Sequence, residues 1–174
     1  MKIPTRKIIV RSIILTALVI VSYFVGRELS VLLEMPDENI GGMWCAISAI
    51  VVFDDLRENV KVLLKNRLLG TLFGSILTVL SLYFIQDLVA SICVSLIVVS
   101  LAISVFNLDG ALKIACTTVL IITISTHNAP FTDISLNALM RFVESSLGCG
   151  LSLAATVLLE HTRQLAGGLT SQQE

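Results

Sequence analysis

Residues 67–74 read Arg67-Leu68-Leu69-Gly70-Thr71-Leu72-Phe73-Gly74, and Thr78 and Ser81 follow on the same helical face. Further on stands Arg141-Phe142-Val143-Glu144-Ser145-Ser146-Leu147-Gly148, followed by Ser152 and Ala155. A shift of 74 positions lays Arg67 on Arg141, Thr71 on Ser145, Gly74 on Gly148 and Thr78 on Ser152. Such an offset is the mark of a repeat. Both copies lie in apolar runs, where a charged side chain is costly and turns toward protein or water rather than lipid. The pairing therefore predicts two related halves built around one site.

The rest of the chain agrees with a membrane setting. Of 174 residues, 55% are hydrophobic and only 14% charged, and the mean hydropathy is +0.91. A soluble domain of this size needs more polar surface. The spacing predicts an all-α membrane protein with six transmembrane helices near 8–33, 40–53, 67–86, 88–106, 111–127 and 136–160. The second is short in its apolar part and is read as broken or partly re-entrant. Turn residues punctuate the connections at Pro36-Asp37, Asp54-Asp55, Gln86-Asp87, Asn107-Leu108-Asp109-Gly110 and Asn128-Ala129-Pro130. Residues 1–163 form one six-span domain on this reading, with repeat halves about 8–86 and 88–160, and 164–174 form a short disordered tail. Lys2, Arg6, Lys7 and Arg11 before an apolar run resemble a signal peptide. No small-residue cleavage site follows, so the segment reads as an uncleaved first span.

Lysine and arginine set the orientation. Lys2, Arg6, Lys7, Arg11, Arg57, Lys61, Lys65, Arg67, Lys113 and Arg163 fall on one side, and only Arg27 and Arg141 on the other. Both termini are accordingly expected in the cytoplasm. Three spans separate the two copies, an odd number, so the halves have inverted topology, as in many secondary transporters. Leu56, Val60, Leu63 and Leu64 recur at helical spacing among charges, predicting an amphipathic lead-in at the cytoplasmic surface that runs into the third span, capped by Asp54 or Asp55.

The candidate binding residues are Arg67, Arg141, Thr71, Thr78, Ser152 and Trp44. Arg67 has two readings: a cytoplasmic anchor that snorkels to the interface, or a contact for an anion. Arg141 lies on the side where arginine anchors are disfavoured. Glu144 follows it by one turn and either clamps it structurally or exchanges with an anionic substrate and couples protons. Trp44 is an aromatic-belt anchor or a stacking surface. Gly70, Gly74 and Gly148 are read as helix-packing positions, because small residues let backbones approach closely in lipid. Span 1 adds a polar line at Ser12, Thr16, Ser22 or Tyr23, Gly26 and Ser30. Lys113 and His127 are read as interface residues.

Other chemistry finds no footing. The cysteines Cys45, Cys93, Cys116 and Cys149 lack disulfide or zinc spacing. Metal and cofactor are both expected to be none. No basic face suggests nucleic acid, and no nucleophile, phosphate-loop or triad pattern suggests an enzyme.

With the repeat and the six spans in place, the chain resembles the fusaric acid resistance and aromatic acid exporter-like family. The resemblance rests on Trp44-Cys45-Ala46-Ile47-Ser48, on Asn66 through Gly74 with its Arg-x2-Gly-Thr-x2-Gly pattern, and on Arg141 through Gly148. It implies a bacterial inner-membrane exporter of aromatic or other carboxylic acids. Plant aluminium-activated malate channels are similar in membrane architecture and pass anions through a dimer. Family members often carry proline after the span-2 tryptophan, where this chain has Cys45, and many carry a cytoplasmic domain or a second membrane half. A six-span chain is therefore expected to work as a homo-oligomer, a dimer foremost, or with a partner subunit. The leading expectation is export of small organic anions by alternating access. A passive anion channel, or a structural or regulatory membrane subunit, is the alternative.

Overall fold

The computed structural model describes residues 5–35, 38–54, 57–126 and 129–170, the side chains of 5–8, 57–58 and 162–170 excepted. The described residues form six α-helices: α1 (Thr5–Leu32), α2 (Glu38–Val52), α3 (Arg57–Phe84), α4 (Leu88–Val105), α5 (Leu112–Ser125) and α6 (Phe131–Thr170). A 3₁₀ turn at Asp109–Ala111 precedes α5, and no strand occurs among the described residues. Stretches within α1, α3, α4 and α6 are long and apolar enough to cross a membrane. The other two are short. α2 has 15 residues and α5 has 14, about 22 Å of helix against a hydrocarbon core of about 30 Å.

The two short helices are the second and the fifth. The ends are set by local chemistry. Asp87 caps α4, its carboxylate accepting the Ala90 N–H at 2.8 Å. Glu34 and Asn107, each at φ 53°, turn the chain after α1 and α4 through the left-handed region.

Burial is inverted relative to a soluble protein. On α4, Ser91, Ser95, Val99 and Ile103 are buried at every fourth place, while Val89, Ile97, Leu101 and Val105 face outward. Lipid is as apolar as leucine, so burying leucine gains little there; small and hydroxyl-bearing residues turn inward instead.

The chain folds as two compact units: residues 1–63 with 147–174, and residues 64–146. In the first, α1 packs on α2 at two glycines. A Cβ on Gly26 would stand 2.6 Å from the Gly41 carbonyl, and one on Gly42 would stand 2.7 Å from that of Tyr23. Leu18, Ala49 and Phe53 form its core with Leu151 and Ala155 of α6. Arg27 pairs with Glu38 at 3.0 Å, with both side chains about two-fifths exposed. An exposed pair of this kind contributes little, so Glu38→Gln should cost under ~1 kcal/mol in thermal unfolding. In the second unit, Val99, Ile103, Ala111, Ala115 and Val119 form the core, with Leu69, Phe73 and Leu77 of α3 against it. The units differ from the two sequence halves in one respect: most of α3 lies with α4 and α5, and the latter part of α6 lies with α1 and α2.

Two expectations change. The lead-in and the third span form one helix: α3 runs unbroken from Arg57 to Phe84, and Val60 is fully buried. Leu56 and Asp55 lie outside the described residues. α2 is a single unbroken helix rather than a broken one. The tail is helical as far as Thr170, through Gly167 and Gly168, because extending a helix already formed is far less costly than starting one. Residues 171–174 lie outside the described residues, as do Asp37, His127 and Asn128.

Candidate functional site

Arg67 is the eleventh residue of α3 and Arg141 the eleventh of α6. Both are 4% exposed. Two to three turns of helix therefore precede each guanidinium, and neither is spread on an exterior surface. This does not fit the anchor reading of Arg67, since a snorkelling side chain keeps its head in water.

Arg141 Nη1 and Glu144 Oε2 stand 2.8 Å apart, with their side chains 5% and 0% exposed. The i,i+3 spacing puts the two groups on one face, and the apolar run around them supplies the low-dielectric setting. Desolvating two charges costs several kcal/mol each, and only close pairing with further polar contact offsets it. Removing one member leaves a buried charge, so the pair holds as a unit. A competing anion that replaced Glu144 at Arg141 would leave the carboxylate to take up a proton.

Arg67, Gly70, Thr71, Gly74, Thr78, Arg141 and Glu144 all belong to the second compact unit, and Trp44, Gly148 and Ser152 belong to the first. The hydroxyls divide by role. Thr71 donates to the Arg67 carbonyl at 2.9 Å and Thr78 to the Gly74 carbonyl at 2.7 Å, each within α3. Their protons serve the backbone, and their oxygens remain acceptors. Ser152 instead crosses between helices, donating to the Ala49 carbonyl of α2 at 3.0 Å. The bond holds α6 on α2. Ser152→Ala should cost about 1 kcal/mol of stability, the usual worth of an interhelical hydroxyl bond in membranes. Trp44 is 2% exposed, which is unlike a belt residue whose ring lies in the interface.

The glycines are packing positions, as their spacing implies. A Cβ on Gly70 would stand 2.7 Å from the Ala111 carbonyl of the 3₁₀ turn, and one on Gly74 2.8 Å from the Ala115 carbonyl of α5. One on Gly148 would run into the Cys45 carbonyl of α2. Sequence reasoning missed several neighbours. Thr156 donates to the carbonyls of Asp54 and Ser152; its signal was the four-residue step Gly148, Ser152, Thr156. Ser91 and Ser95, fully buried on α4, were legible as a Ser-x3-Ser step in a strongly apolar span. Gly110 faces the Asn66 side chain too closely for a Cβ, a contact that no spacing announces.

No group of three or more His, Cys, Asp or Glu side chains suited to a metal occurs among the described residues. No curated protein and no solved structure matches the chain. A family model described as fusaric acid resistance protein-like matches residues 17–155, from the first span to the end of the Gly148–Ala155 line. The protein is a multi-pass membrane protein, and it belongs to the fusaric acid resistance protein-like family of membrane transporters.

Proposed function

We propose that the protein exports small organic anions, carboxylic acids foremost, across a bacterial inner membrane. The observation that carries this reading is the Arg141–Glu144 pair, buried and 2.8 Å apart within a membrane-spanning helix. A guanidinium recognises a carboxylate through paired N–H donors. A substrate carboxylate would displace Glu144 from Arg141, since two carboxylates cannot both stay ionised beside one buried cation without a large penalty. Glu144 would then carry a proton. Arg67, buried in the same compact unit, offers a second guanidinium, and the Thr71 and Thr78 oxygens would accept only from a hydroxyl or N–H elsewhere on the substrate.

Alternating access between two inverted three-helix repeats accounts for the arrangement of helices. In support, Arg67 and Arg141, Gly74 and Gly148, and Thr78 and Ser152 stand 74 positions apart. The lysine and arginine distribution supports six crossings with both termini inside. A six-helix chain of this kind is read as one protomer of a dimer.

Ligand-dependent thermal stability tests the binding step on the purified protein in detergent. Benzoate at about a hundred times its dissociation constant should stabilise the wild type by roughly 2.7 kcal/mol. Arg141→Gln should abolish that gain. An equal gain in the variant would remove Arg141 from the binding site.

A further inference from the structure

Within the second compact unit, a pocket of about 380 Å³ opens where α3 and α5 end and α6 begins. Leu82, Tyr83 and Gln86 line it from the end of α3, Thr126 from the end of α5, and Phe131 and Ile134 from the start of α6. The rings of Tyr83 and Phe131 lie 5.4 Å apart, centre to centre, and hold the two helix ends together there. On the proposed orientation this end faces outward. From three of the lining residues a stripe runs inward along its own helix. On α3, Thr78, Ser75 and Thr71 follow Leu82 at steps of four, three and four. On α5, Thr123 lies three residues in from Thr126. On α6, Asn137, Arg141 and Ser145 follow Ile134 at steps of three, four and four. Arg141 thus lies about 10 Å along the helix axis from the pocket wall, and Ser145 lies beyond it.

The hydroxyls on these stripes are of two kinds. Thr71, Thr78 and Thr126 each donate to the carbonyl four residues back, the ordinary resort of threonine in an apolar helix. Ser75, Thr123 and Ser145 do not, although each is 5% exposed or less. Neither they nor the Asn137 side-chain oxygen meet a hydrogen-bond partner among the described residues. A buried polar atom left unpaired is costly, and such atoms are the ones that water or a polar ligand satisfies. We infer that the pocket is the aqueous mouth of a polar path along these stripes, hydrated as far as the Arg141–Glu144 pair. Water on the path pairs with Thr123, Asn137, Ser75 and Ser145, and Glu144 exchanges its proton with the outer solution through it. The inference rests on the export reading for its cargo: a carboxylate released from Arg141 leaves by the same path. The path itself rests on the pocket and the unpartnered groups.

Thiol accessibility in membrane vesicles reads the path without any transport assay. Cys45, Cys93, Cys116 and Cys149 are replaced by alanine, and single cysteines are returned. Gln86→Cys reports the mouth, Thr123→Cys the wall and Ser145→Cys the far side of Arg141. Ile124→Cys is the control, since Ile124 is 63% exposed on the outward face of α5, next to Thr123 in sequence. Thr123→Cys and Ser145→Cys change side-chain volume little, so the packing tolerates them. The probe is 2-sulfonatoethyl methanethiosulfonate, an anion that does not cross lipid, applied from whichever side modifies Gln86→Cys. Thr123→Cys should react within about tenfold of Gln86→Cys, and Ile124→Cys about a hundredfold slower, because only a hydrated thiol ionises to the reactive thiolate. Ser145→Cys should also outpace Ile124→Cys. Benzoate at about ten times its dissociation constant should slow Ser145→Cys about tenfold, the fraction of sites it leaves free. Thr123→Cys or Ser145→Cys as slow as Ile124→Cys, or Gln86→Cys unreactive from both sides, would overturn the path. Reaction at all three path positions without benzoate protection would uphold the path and count against Arg141 as the anion site.

Discussion

Replacing Glu144 by alanine is expected to lower the unfolding free energy by about 3–5 kcal/mol, because it takes a carboxylate away from a buried guanidinium. Arg141 Nη1 lies 2.8 Å from Glu144 Oε2, and neither side chain is more than 5% exposed, so water cannot stand in for the lost carboxylate. The converse change, Arg141→Gln, should cost less. A carboxylate can neutralise itself by taking a proton, whereas arginine stays charged under all ordinary conditions. The double variant Arg141→Met/Glu144→Leu should recover most of the loss, since a well-packed apolar pair often matches a buried ion pair in stability. Urea or thermal unfolding in detergent checks all three. A Glu144→Ala variant as stable as the wild type would mean that Arg141 is held by other groups.

Gly148→Ala should also be severe, and its neighbour supplies the control. A Cβ at 148 would collide with the Cys45 backbone carbonyl, which cannot move without shifting α2. Overpacking of this kind costs about 1–3 kcal/mol, and more when backbone must give way. Gly150, two residues on, is exposed, and a Cβ there would meet nothing within 4 Å. Gly150→Ala should leave stability unchanged or raise it by up to about 1 kcal/mol through helix propensity. Parallel melting curves of the two variants make the comparison. Equal losses would mean that residue type in α6, rather than contact with α2, sets the effect.

Much of this is legible in the sequence, for identifiable reasons. Six apolar segments, the turns at Asn107–Gly110 and Gln86–Asp87, and the Gly70/Gly74 line all follow from local pattern, and local pattern decides helices in lipid. The Arg141–Glu144 pair follows from i,i+3 spacing alone. Partner choice is harder. That Gly148 meets Cys45, or that Ser152 reaches Ala49 more than a hundred positions away, depends on which helices neighbour one another, and small residues look alike wherever they pack. The burial of Arg67, 4% exposed, was not legible, because a basic residue near a span end has the same sequence pattern whether it anchors at the interface or packs inside. The start of α3 at Arg57 sets Arg67 well inside the helix. The lead-in and the span read as an amphipathic and an apolar stretch, and one helix carries both.

The central claim is that Arg141 contacts the transported anion. Flux of radiolabelled benzoate in proteoliposomes with an imposed proton gradient tests it most directly, with wild type and Arg141→Gln reconstituted at equal density and matched for folding. A charge-assisted hydrogen bond is worth about 1.5–3 kcal/mol, so the variant should lose tenfold or more of its flux. Wild-type flux from a folded Arg141→Gln protein would contradict the account.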